Sequence, residues 1–110
     1  KLNPKGSVGI AMYGATIGKL GILDFPATTN QACCVCSDFK GIGNLYLFYY
    51  LKQHKNIFIQ QGFGGAQSNI SKEKIISTLL PLPPLGEQKR IVSKIEELFE
   101  ALDHIQSNLV

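Results

Sequence analysis

The sequence predicts an α+β fold: a small, mostly antiparallel sheet with packed helices, followed by a long C-terminal coiled-coil-forming helix. Three observations lead there. Short apolar runs punctuated by Gly and Pro fill the first third of the chain, as strands joined by tight turns do. An aromatic-rich run at helical spacing follows. Beyond a cluster of prolines the apolar period becomes 3.5 residues, the mark of a helix that supercoils with another.

Val8-Gly9-Ile10-Ala11-Met12-Tyr13 alternates larger with smaller residues, as a strand buried on one face does. Gly14 to Gly18 is a turn, and Lys19 to Leu23 is the returning strand, ended by Asp24-Phe25-Pro26. After the polar run Thr28-Thr29-Asn30-Gln31, residues Ala32 to Cys36 form a third strand, closed by Ser37-Asp38. Asn44 is placed to cap a helix through His54, with Leu47, Phe48 and Leu51 on the face that packs on the sheet and Lys55 near its edge. At this spacing Tyr46, Tyr49 and Tyr50 read as core-packing residues, with a set of base-stacking rings as the alternative. Ile57-Phe58-Ile59 reads as a short strand entering the glycine- and amide-rich run Gly62 to Ser71. Ser71 then caps a short helical turn, Lys72 to Ile76, and the X-Pro steps from Pro81 keep the chain extended.

The final segment is different. Ile91, Ile95, Leu98, Leu102, Ile105 and Leu109 are spaced 4, 3, 4, 3, 4, which is an a/d seam for a partner helix. Val92 and Phe99 form a second stripe suited to packing back on the body. The competing reading is a lone terminal helix lying on its own domain.

With 110 residues there is room for one domain, and the abrupt start at Lys1-Leu2-Asn3-Pro4, without Met or targeting signal, reads as a piece of a larger subunit. The net charge is +3, unevenly placed. Residues 1–85 carry eight lysines against three acids, and residues 86–110 carry three bases against five acids. A basic body and an acidic-leaning helix suit a body that faces a polyanion and a helix that faces protein, although solubilising charge alone gives the same pattern. Cys33, Cys34 and Cys36 lack zinc spacing, and neighbours on a strand point to opposite faces, so they read as reduced, partly buried small hydrophobes. No apolar run approaches the ~20 residues of a membrane span, and the expected compartment is the cytoplasm.

Catalytic chemistry is not legible. Gly14-Ala15-Thr16-Ile17-Gly18-Lys19-Leu20 falls one residue short of phosphate-loop spacing and has Leu20 where Ser or Thr would hold magnesium. His54 and His104 have no nucleophile at readable spacing, five of eight carboxylates lie on the terminal helix, and no metal cluster is visible. What remains is recognition. Gln60, Gln61, Gln67, Ser68 and Asn69 surround Gly62, Gly64 and Gly65; amides bond adenine edges, and glycines let main chain approach phosphate. The same residues equally suit a structural turn.

Four segments in order, Ala11 to Lys19, Thr29 to Ala32, Gly64 to Ser71 and Pro81 to Val92, make the chain resemble the DNA-specificity (S) subunit of type I restriction–modification systems. The resemblance implies the later part of a DNA target-recognition domain over 1–85 and the start of a spacer (coiled-coil) helix over 86–110. It implies a non-catalytic subunit whose partners are double-stranded DNA, modification (methyltransferase) subunits, the restriction subunit through the complex, and a second spacer helix of the same or another S chain. S-adenosylmethionine is expected on the modification subunit, with no cofactor on this chain. Pro83, Pro84, Leu85, Glu87 and Gln88 match the junction motif, which sets the exit angle of the arm. Candidate DNA-binding residues are Tyr13, Thr16, Lys19, Asn30, Gln31, Gln61, Gly64, Gly65, Gln67, Ser68, Asn69 and Lys72. The shared loop residues among them suit domain shape or phosphate contact, while the family's base-reading residues lie largely in variable segments, partly upstream of Lys1. The run Cys33-Cys34-Val35-Cys36 departs from the apolar residues expected there, conservatively for a strand. The alternative function is a non-DNA-binding interaction module, a truncated or half-length S subunit that dimerises through its helix.

Overall fold

Val8, Ile10 and Met12 leave one stretch of extended chain on the same side, and all three are buried there. The computed structural model describes residues 2–37, 40–61 and 69–109, with 59–61 described by backbone alone. Its elements are β1 (Val8–Ala11), β2 (Leu20–Ile22), β3 (Cys33–Cys36), α1 (Asn44–Gln61), α2 (Lys72–Ile76) and α3 (Leu85–Ser107). β1 is the central strand of the order β2-β1-β3 and runs antiparallel to both neighbours. Its Ile10 sits opposite Leu20 on one side and Cys34 on the other. The expected small antiparallel sheet, packed helices and long final helix are what the chain forms.

α1 covers one face of this sheet. Leu51 and Phe58 join Val8, Ile10, Met12 and Ile70 in the core, and Leu47, Phe48 and Ile75 pack around them. Ile57-Phe58-Ile59 is therefore not a strand, because α1 continues through it to Gln61. Phe58 falls seven residues after Leu51, two helical turns on, so it returns to the buried face while Ile57 turns outward. A three-residue apolar run has too few positions to tell helix from strand by period.

The strand register also explains the cysteines. Cys34 and Cys36 pair with Ile10 and Val8 and so share their helix-covered side, whereas Cys33 and Val35 pair with Ala11 and Gly9 on the opposite side. No group of metal-ligating side chains occurs among the described residues. Cys33 lies so close over Gly9 that a Cβ there would stand 2.9 Å from its Sγ.

Three tyrosines of α1 point elsewhere than the core. The Tyr50 hydroxyl donates to the Leu79 carbonyl and the Tyr46 hydroxyl to the Pro81 carbonyl, each at 2.6 Å, while Tyr49 donates to Glu96 Oε2 at 3.2 Å. The segment between α2 and α3 is thereby strapped along α1. Ser71 caps α2 as expected, its Oγ accepting from the Lys74 N–H at 3.4 Å.

α3 begins at Leu85, just inside the junction, and is fastened by Gln88, which is 1% exposed. Gln88 Oε1 accepts from the Gly43 N–H at 2.7 Å, and its Nε2 donates to the carbonyls of Gly41 (2.9 Å) and Pro83 (2.8 Å). Val92 is buried beside it, and Phe99 lies 6.1 Å from Tyr49 with the Lys52 ammonium 5.7 Å from its ring, so the second stripe does pack back on the body. Replacing Gln88 with Leu keeps the volume but strands a buried N–H and two carbonyls. Gln88→Leu should lower stability by about 3 kcal/mol, read as a lower urea midpoint; an unchanged midpoint would show that water replaces the amide at no cost.

Candidate nucleic-acid interface

The far end of β1 gathers most of the polar candidates. The Met12 N–H donates to the Ala32 carbonyl at 2.7 Å, and the Met12 carbonyl accepts from the Ile70 N–H. Tyr13 and Asn69 pair in an isolated antiparallel bridge. Two residues of main chain thus tie together the turn that follows Tyr13, the polar segment before Ala32 and the segment entering at Asn69.

Local hydrogen bonds shape the first two of these segments. In the Gly14–Lys19 turn, Gly18 N–H donates to the Ala11 carbonyl (2.8 Å), Ala11 N–H to the Lys19 carbonyl (2.9 Å) and Lys19 N–H to the Thr16 carbonyl (2.9 Å). Gly14 and Gly18 sit at φ +93° and +81°, a region that glycine enters without steric cost. Asn30 Oδ1 accepts from the Ala32 N–H at 2.9 Å, a local Asx turn, so half of that amide is already engaged. The side chains of Tyr13, Thr16, Lys19, Asn30, Gln31 and Asn69 are all exposed on this end.

Lys72 stands apart. It is exposed at the start of α2 and lines a hollow of about 390 Å³ beside β3, with Cys34, Cys36, Tyr50 and Ile75 among its walls. Gln61 closes α1, and its side chain lies outside the described residues, as do Gly64, Gly65, Gln67 and Ser68. Beneath the Gly14–Lys19 turn the stem of Lys55 lies across Gly18. Lys55 was legible only as a helix-edge residue, and the one signal pointing further was a lysine at core spacing between Leu51 and Phe58.

The second surface is the arm. Ile91 and Ile95 are half-buried, but Leu98, Leu102 and Ile105 are each more than half exposed along α3. Leu109 lies past the helix end, beyond the cap residue Asn108, so the regular seam closes at Ile105. Arg90 bonds Glu87 at 3.0 Å, and this hydrogen bond and charge hold the Glu87 carboxyl below its ordinary range.

A model of the type I restriction modification DNA specificity domain matches residues 1–109. The chain belongs to this family. Among curated proteins, the EcoR124I/EcoR124II specificity subunit of Escherichia coli is 24% identical over 114 residues, covering 99% of this chain and 28% of that protein. A Methanocaldococcus jannaschii protein named "Putative type I restriction enzyme MjaX specificity subunit" is 29% identical over 90 residues, covering 81% of this chain and 21% of that protein. The crystal structure of the HsdS subunit from Thermoanaerobacter tengcongensis shares the fold with a TM-score of 0.79 at 19% identity, over 100% of this chain and 26% of that one. A chain from a structure describing complex assembly and conformational transition of the type I R-M system gives a TM-score of 0.81 at 21% identity, over 97% of this chain and 26% of that one. The specificity domain thus spans about a quarter of the length of these relatives.

Packing makes the thiols of Cys33 and Cys34 less acidic than usual. Burial pushes the Cys33 thiol up despite a hydrogen bond from the Ile10 backbone, and burial likewise raises Cys34 against the lowering charge of Lys72. A raised pKa leaves less thiolate at a given pH. Single-cysteine variants retaining Cys33 or Cys34 should react with iodoacetamide more slowly than an unstructured cysteine peptide at mildly alkaline pH, with rates still climbing where the peptide's have levelled off. Labelling at the peptide's rate would show these thiols to be freely accessible.

Proposed function

We propose that this chain is the later part of a DNA target-recognition domain (1–85) joined to the start of a spacer helix (86–110) in the specificity subunit of a type I restriction–modification complex. The observation that carries the reading is the sheet end, where Met12 and Tyr13 bring Thr16, Lys19, Asn30, Gln31 and Asn69 onto one exposed surface. Hydroxyl, amide and ammonium groups are the donors that position a protein on phosphates and read base edges. The subunit chooses the site and contributes no catalytic group. Methylation, with S-adenosylmethionine, belongs to the modification subunits, and cleavage to the restriction subunit. No helix among the described residues is long and apolar enough to cross a membrane.

The exposed Leu98, Leu102 and Ile105 favour a second helix as the partner of the arm, from the same or another specificity chain, alongside docking of the modification subunits. A specificity subunit that only dimerised through this seam would show it without DNA binding, which separates the two readings.

In the assembled complex, affinity for the target duplex should fall by roughly three orders of magnitude between about 50 and about 200 mM salt, as six or more phosphate contacts require. Salt-insensitive binding, or none, would sink the DNA reading. Leu98→Glu places a charge in the seam and should dissociate the helix partner in sedimentation velocity; identical sedimentation of parent and variant would show that the seam is not an interface.

A further inference from the structure

Lys55 faces the wrong way for a surface lysine. Leu51 and Phe58 direct the buried side of α1 at the sheet, and Lys55 lies between them, four residues after one and three before the other. Residues at these spacings share a helix face. Its side chain therefore leaves α1 toward the β1–β2 turn and is half-buried there.

What it meets is Gly18. A Cβ on Gly18 would stand 2.7, 2.9 and 3.2 Å from the Cε, Cγ and Cδ of Lys55, so most of the aliphatic stem lies flat on this residue. Gly18 also holds φ +81°, so any side chain there would be strained as well as in collision. The ammonium is one bond beyond Cε, and Gly18 belongs to the turn that carries Thr16 and Lys19. Among the described residues the ion pairs are Arg90–Glu87 and Lys94–Glu97, both on the arm, and none involves Lys55. A lysine whose stem is packed and whose head has no carboxylate partner among the described residues suits a snorkelling arrangement. A head held in place before binding loses less rotamer entropy when an anion arrives.

We propose that Lys55 is a phosphate contact of the DNA interface, delivered to the duplex backbone by the seat that Gly18 provides. The Gly14–Lys19 turn then serves two ends: it displays Thr16 and Lys19, and its last glycine makes room for a lysine from another element. The contact is to the sugar–phosphate chain and carries no base preference. This inference rests on DNA binding by the sheet end, as proposed above.

The test separates the charge from the stem. Lys55→Met keeps the packed stem and removes the ammonium, whereas Lys55→Ala removes both. In the assembled complex, Lys55→Met should keep the parent's thermal midpoint. It should bind target and unrelated duplexes more weakly by the same factor, roughly fivefold, with a log K against log salt slope shallower by about 0.9. Gly18→Ala retains the charge but displaces the stem, and should show a similar loss on both duplexes. Parent-like affinity and slope in Lys55→Met, with a lowered midpoint in Lys55→Ala, would reduce Lys55 to packing and overturn the inference. A parent complex that binds neither duplex would instead overturn the reading of the sheet end itself.

Discussion

Both ends of the Gln88 amide are engaged by main chain, and the relation of arm to body depends on that one group. Its oxygen takes the N–H of Gly43, just before α1, while its nitrogen gives to Gly41 and Pro83. Two pieces of chain, the Gly41–Gly43 approach to α1 and the Pro83 junction, are thus fixed to one side chain on the first turn of α3. A carboxylate could not donate, and an apolar residue could do neither, so the requirement is for an amide. Because the bonds are buried, rotation of α3 about its axis or sliding along it would cost all of them together. Val92, one turn further, adds apolar contact to the same orientation.

The body shows the same economy at its opposite end. Met12 is flanked through its N–H and carbonyl by Ala32 and Ile70, and its side chain is buried in the core. The polar surface is therefore assembled directly on the last core residue of the sheet, with no flexible connection between packing and display. Core and interface are adjacent residues just past the end of β1, so the position of Tyr13 and Asn69 follows from the burial of Met12.

Much of this was legible in the sequence. The three strands, the Gly14–Gly18 turn, the Ser71 cap and the final heptad helix follow from period, punctuation and capping, which are local signals. What escaped was set by tertiary context. Phe58 belongs to a helix because Leu51 two turns earlier shares its face, and three apolar residues alone could not show it. The tyrosines of α1 looked like core or stacking rings, yet Tyr46 and Tyr50 use their hydroxyls on the carbonyls of Pro81 and Leu79. The burial of Gln88 and the seating of Lys55 on Gly18 join residues more than 35 positions apart, and no spacing rule reaches that far. Of the heptad positions, Leu98, Leu102 and Ile105 are exposed along α3, Ile91 and Ile95 are half-buried, and Leu109 falls beyond the helix.

From Leu79 to Pro83 the segment leading from α2 to α3 is fastened through acceptors. The carbonyls of Leu79, Pro81 and Pro83 receive bonds from Tyr50, Tyr46 and Gln88. These three fastenings ask nothing of the segment's own N–H groups, so proline, which has none, fits at 81, 83 and 84 without forfeiting any of them. Stiffness thereby comes without loss of attachment. A strap of this kind resists both stretching and twisting, and a load applied along α3 would pass through it into α1 and the sheet rather than being absorbed at a hinge.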